Sequence, residues 1–189
     1  MPKTYSDAEA LVHEWVASDS LRKHMLSVAT ALRAYAKKYG EDEETWAICG
    51  LLHDFDYERY PEPDPNAQTG HPYEGVRYLR EQGYDDNILD AIMGHALYTG
   101  TPRNSLLAKC LFACDELCGF IVACGHSRPE RLSTLTASSV KKKLKDKRFA
   151  AKVSREDIAL GISELGTDAD EHISFVIEAL KPIENQLFN

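Results

Sequence analysis

Residues 106–124 constrain this chain more than any other stretch. They are apolar on nearly every side of a helical projection and carry only three charges, Lys109, Asp115 and Glu116. A helix apolar all round has to be covered by other elements, so this one belongs at the centre of the fold. Its expected span is 105–124, ending at Gly125. Three charges in so short a run speak against a membrane span. The remaining long segments also repeat their apolar residues at three and four positions, with few runs of β-branched residues, and the expected fold class is all-α.

Caps and breakers divide the rest. Ser6 followed by Glu9 reads as a capping box for a first helix to about Ala17. A second helix runs from near Asp19 to Gly40, with Leu21, Met25, Val28, Leu32 and Tyr35 as its core stripe. A third covers 42–54 and turns Trp46, Cys49 and His53 to one side. Pro61, Pro63 and Pro65 then exclude a helix and predict an extended loop over 55–70. Further helices are expected over 72–82, with Pro72 at its first position, and over 86–95. After the central helix come a basic helix over 137–148, one over 154–165, and a last one from Asp168 onward. No linker-like composition separates these pieces, so one domain over 1–189 is expected, with its motif core at about 21–124.

The chain is 189 residues long and 43% hydrophobic, enough to bury a core and too apolar for a disordered tail. Lys plus Arg total 22 against 30 Asp plus Glu, a net charge of -8, so no overall positive field gathers a nucleic-acid polymer. The start of the sequence has no uninterrupted apolar segment of the kind a secretory signal needs. The five cysteines, 49, 110, 114, 118 and 124, are odd in number and include no CxxC pair, which argues for a reducing compartment. A cytoplasmic protein without membrane association is the expectation. Cys110, Cys114 and Cys118 fall on one helical face, where they can bind a soft metal or simply fill a packed seam.

Chemistry is concentrated in a few titratable residues. Asp115 lies in the apolar helix between Leu111 and Phe112 on one side and Cys118 and Gly119 on the other. A buried carboxylate needs a positive partner, either a metal ion or a basic side chain. His24 lies on the core stripe of the second helix, His53 and Asp54 close the third, His71 opens the fourth and His95 ends the fifth. Imidazole nitrogens and carboxylate oxygens converging from several helices make a mixed site suited to Zn, Mn, Fe or Mg. His13, His126 and His172 have structural or solvated surroundings, and the basic run 141–148 reads as an exposed helix face.

The ordered set His24, His53-Asp54 and Asp115 resembles the HD superfamily of metal-dependent phosphohydrolases over roughly residues 21–124. That resemblance implies an HD-domain helical bundle. It also implies that His24, His53, Asp54 and Asp115 hold a first metal, and that His71 and His95 hold a second with Asp54 bridging, as in the dinuclear members. A divalent ion then activates water against a phosphate ester of a small molecule or nucleotide. Asp54, with Asp56 and Glu58 just past it, is the candidate catalytic set, the latter two orienting water or protonating the leaving group. Arg22, Lys23, Arg103 and Lys109 are the nearby cations that can meet a phosphate. Many members follow the His-Asp pair with an aliphatic residue and a glycine, whereas this chain continues Phe55-Asp56-Tyr57. The same ligand set resembles the HD-type mixed-valent di-iron oxygenases, and a non-catalytic nucleotide-binding module is a third alternative.

Overall fold

The computed structural model describes residues 3–189, and among them the regular structure is helical, with no β-strand. The chain sorts into two compact units, Met1–Leu111 and Phe112–Asn189.

The first unit holds α1 (Tyr5–Trp15), α2 (Asp19–Tyr39), α3 (Glu43–Leu52), α4 (Tyr73–Glu81) and α5 (Asp86–His95). Its starts are set by side chains that accept otherwise unpaired N–H groups of the first turn: Ser18 from Leu21, Asp42 from Thr45 and Asp85 from Asn87. The first helix differs from expectation. Thr4 caps it, in a reciprocal box with Asp7, so Ser6 and Glu9 lie inside the helix. It ends at Trp15 because Val16 turns extended. Gly40 closes α2 in the left-handed conformation, φ 74°, that glycine adopts without a Cβ penalty. Pro72 caps α4 rather than occupying its first turn. Met25, Val28, Leu32 and Tyr35 of the α2 stripe are buried, while Leu21 is half-exposed. Each buried aliphatic side chain contributes roughly 1.5–3 kcal/mol.

Gly50 decides how α3 sits on α2. A Cβ there would lie 2.7 Å from Ala29 Cα and 2.8 Å from Ala29 N, so the two backbones approach as closely as they do only because the side chain is missing. The Pro-rich segment has no helix, as expected, but it is ordered by turns. Asp64 pairs with Thr69, and the Asp64 carboxylate accepts the Asn66 and Ala67 N–H groups. Arg59 donates to Glu14 O at 2.9 Å and lays its guanidinium over the Trp15 ring, 4.1 Å from the centroid, which ties the segment to α1.

Helix α6 (Leu106–His126) begins in the first unit and continues into the second, which also holds α7 (Ala137–Leu144), α8 (Arg155–Leu165), α9 (Ala169–Leu180) and α10 (Glu184–Phe188). Ser154, Asp168 and Gly166 are the caps their sequence positions suggest. Gly125 does not stop α6. It lies inside the helix, where the Phe188 ring occupies the place of a Cβ. Gly161 similarly lets α8 approach the α6 backbone at Ala113. The basic helix α7 stops at Leu144, earlier than expected, and the last helical segment breaks at Pro182 in a short 3-10 turn. His172 is buried and its Nε2 donates to Ala113 O at 3.0 Å, a structural role.

All five cysteines are buried. Burial pushes the Cys110 thiol up to about 12 and the Cys124 thiol to about 11, so both stay protonated near neutrality. The groups of described residues able to hold a metal contain no cysteine. Among the described residues no helix is long and apolar enough to cross a membrane.

Candidate metal centre

Within the first unit, Asp54 stands between two pairs of histidines. Its Oδ2 lies 3.7 Å from His24 Nε2 and 3.5 Å from His53 Nε2. Its Oδ1 lies 3.3 Å from His71 Nε2 and 3.4 Å from His95 Nε2. The two members of each pair are themselves close, 3.2 Å between the Nε2 atoms of His24 and His53 and 3.1 Å between those of His71 and His95. Four histidines from α2, the end of α3, the loop before α4 and the end of α5 thus meet at one carboxylate.

The local chain explains the convergence. His53 follows the last turn of α3 in right-handed helical conformation and Asp54 comes next, so adjacent side chains share the helix end. The turns that follow are closed by Tyr57 N–H on Asp54 O and Tyr60 N–H on Asp56 O. His71 N–H donates to Tyr60 O at 2.7 Å, which returns the chain to the site after the Pro-rich loop. Gly70 makes the return possible at φ 79°, where a Cβ would run into the Glu62 and Pro63 backbone.

Hydrogen bonds on the far side of the rings decide what the Nε2 atoms present. His53 Nδ1 donates to Gly50 O at 2.8 Å and His95 Nδ1 donates to Ile92 O. A carbonyl oxygen only accepts, so both rings carry a proton on Nδ1, the tautomer in which a neutral ring offers Nε2 as its lone pair. His71 Nδ1 donates to Asp56 Oδ1 at 2.7 Å, while Asp56 Oδ2 accepts the Gly75 N–H at 2.7 Å, with the same result. On the Oδ1 side, the two Nε2 atoms and one carboxylate oxygen face one another at 3.1–3.4 Å. With each ring neutral and protonated on Nδ1, these are three acceptors, which repel unless a proton or a metal ion lies between them. Ligands of a tetrahedral ion at roughly 2.0–2.1 Å are roughly 3.3–3.4 Å apart, so the separations fit a bound metal. Asp54, His71 and His95 form such a group with all donor atoms within 4.8 Å.

Of the expected site residues, His24, His53, Asp54, His71 and His95 are brought together. Asp115 lies half-buried on α6 in the second unit. Asp56, expected to orient water or protonate a leaving group, is instead almost wholly buried, with both oxygens committed to His71 and Gly75. Orienting a ligand histidine through its far nitrogen is the work such a carboxylate does. Glu58 is exposed, and its Oε2 accepts the N–H groups of Ala17 and Ser18, each at 3.0 Å, just ahead of α2. The nearby cations are partly engaged elsewhere. Arg22 donates to Val16 O, Lys23 pairs with Asp19, and Arg103 donates to Gly94 O.

The sequence reading passed over Tyr98. Its hydroxyl donates to His71 O at 2.8 Å, and burial, then the charges of Asp54 and Asp56, push its ionisation well above the usual range. It stays a neutral donor that steadies the His71 backbone. The only sequence signal was an aromatic residue close behind His95, which is too common a pattern to single out.

Residues 21–119 match the HD domain family model, and the His/Asp cluster lies within that span. Neither curated proteins nor solved structures yield a match to the chain.

Proposed function

The chain belongs to the HD domain family, largely one of metal-dependent phosphohydrolases, and on that footing we propose that it hydrolyses a phosphate ester of a small molecule or nucleotide. The observation that carries the reading is the single Asp54 carboxylate turned by one oxygen to each of two histidine pairs. One or two divalent ions, Mn, Fe, Zn or Mg, would be held by His24, His53 and Asp54 on one side and by Asp54, His71 and His95 on the other. Asp115 is proposed as a further ligand on the His24 side, since it falls inside the matched span. A bound divalent ion supplies Lewis acidity toward phosphoryl oxygens and lowers the pKa of bound water towards neutrality.

The chain's own residues then have distinct tasks. Asp54 holds both sides in register. Asp56 is a positioning residue that keeps the His71 ring oriented with its proton on Nδ1. Glu58 secures the turn beside His24 through the Ala17 and Ser18 N–H groups.

The test is elemental analysis of protein purified without chelators or an affinity metal column, followed by assays of phosphate release and oxygen uptake. About two ions per chain with phosphate release are expected. Iron with oxygen uptake and no phosphate release would assign the centre to the oxygenase alternative. No metal after soaking with manganese or iron would leave a binding module.

A further inference from the structure

His24 is the most exposed of the five converging side chains, 22% against 6% for His71 and His95, and it borders an open cleft of about 420 Å³. That volume falls in the roughly 300–1,000 Å³ range of small-molecule pockets. Leu21, one turn before His24 on α2, and Pro61 of the Pro-rich segment supply apolar walls. Tyr57 supplies an aromatic one. It is 47% exposed, yet its ring also stands edge-on to His71 with 5.2 Å between centroids, so one side chain joins the cleft to the histidine cluster.

The polar groups of the cleft limit what it can hold. Ser18 Oγ and Ser20 Oγ are 3.0 Å apart and share a hydrogen bond, and Ser18 Oγ also accepts from Leu21 N–H. Glu58 is the lining's one carboxylate, and the lining residues include no Lys or Arg. The positive end of α2 is already faced by Glu58. Beyond the metal ions of the centre, a second anion entering here would meet the Glu58 carboxylate with no lysine or arginine in the lining to offset it. An uncharged group with an apolar face would meet Leu21, Pro61 and the Tyr57 ring.

We propose that this cleft receives the uncharged organic group of the ester, laid against Tyr57 between Leu21 and Pro61. The substrate is then a monoester of an apolar, ring-bearing alcohol rather than a compound with further phosphates, a proposal that rests on the hydrolase reading above.

Phenylphosphonate and methylphosphonate carry the same acid group on a P–C bond that ester hydrolysis leaves intact, and they differ in the group offered to the cleft. Calorimetry with the full chain and added manganese reads the binding of each. Phenylphosphonate is expected to bind about tenfold tighter, falling to about twofold in Tyr57→Ala and in Leu21→Glu and held in Tyr57→Phe, as loss of buried apolar area requires. Tyr57 is exposed, so its truncation leaves the core intact. Equal affinities in the wild type, no binding of either phosphonate, or a preference unchanged in both Tyr57→Ala and Leu21→Glu overturns the assignment. Phosphate release from phenyl phosphate separates the two claims. Release without ring preference keeps the hydrolase and removes the cleft; ring preference without release keeps the cleft and removes the reaction.

Discussion

The two sides of Asp54 are built from the same residue types but in different surroundings. On the Oδ1 side His71 and His95 are both buried, and each far nitrogen is tied down, one by the Asp56 carboxylate and one by the Ile92 carbonyl. On the Oδ2 side His53 is buried and tied to the Gly50 carbonyl, but His24 keeps an exposed edge beside the cleft. On the enclosed side one of these partners is charged, the Asp56 carboxylate. A carboxylate behind a ligand imidazole raises its basicity and fixes its orientation more firmly than a carbonyl does. On the proposed reading both sides hold an ion, the enclosed one more firmly, and the open one also admits the organic group of the substrate.

The largest effect should come from Asp54→Ala, which removes the group common to both sides. Both ions should be lost, and activity should fall on the order of a thousandfold or more, since metal-based stabilisation amounts to several kcal/mol. Elemental analysis with a turnover assay checks this; retention of either ion at normal affinity would mean the sides do not depend on the shared carboxylate.

Asp56→Asn should act on one side alone. We expect a roughly 10–100-fold weaker hold on the ion of the His71 and His95 side, read by chelator competition, with the other ion unaffected. Equal weakening of both would erase the contrast between the sides.

Gly50→Ala should act on the other side, through packing. Its Cβ would push against the Ala29 backbone and displace the carbonyl that orients His53. Overpacking costs about 1–3 kcal/mol, offset by up to about 1 kcal/mol of helix propensity. The melting temperature should drop by several degrees, with the His24 and His53 side losing affinity first.

The smallest change is expected from Glu58→Ala, which removes two hydrogen bonds at an exposed position. A loss of about 1 kcal/mol should lower the melting temperature by roughly 2–4 °C and leave metal content alone. Loss of metal in this variant would show that the open side depends on the turn Glu58 secures.

Most helix limits could be read from local chemistry. Asp42, Ser154 and Asp168 act at starts and Gly40 and Gly166 at ends because a cap needs only its own neighbours. The exceptions are positions where a distant residue intervenes. Gly125 looks like a helix stop until Phe188, far along the chain, is seen to fill the space over it. Thr4 and Ser6 are both acceptable caps by type, and the Thr4–Asp7 box settles between them. In the site, the histidines and Asp54 were visible as a spaced set, but Asp56 was not distinguishable from a solvated loop acid. Its partners are His71 and the Gly75 N–H, fifteen and nineteen residues on, and Gly75 must lack a side chain, since a Cβ would lie 2.6 Å from Asp56 Cγ.

The sequence by itself determined the all-α class, most of the helix register and which histidines and acids were candidates, because periodicity, caps and residue chemistry are local properties. Only the tertiary structure decided that Asp54 faces two histidine pairs with different oxygens, that three rings carry their protons on Nδ1, and that one side opens on a cleft. Those features depend on which donor, acceptor or wall stands opposite each side chain, and in this chain the opposing group often comes from another helix or loop.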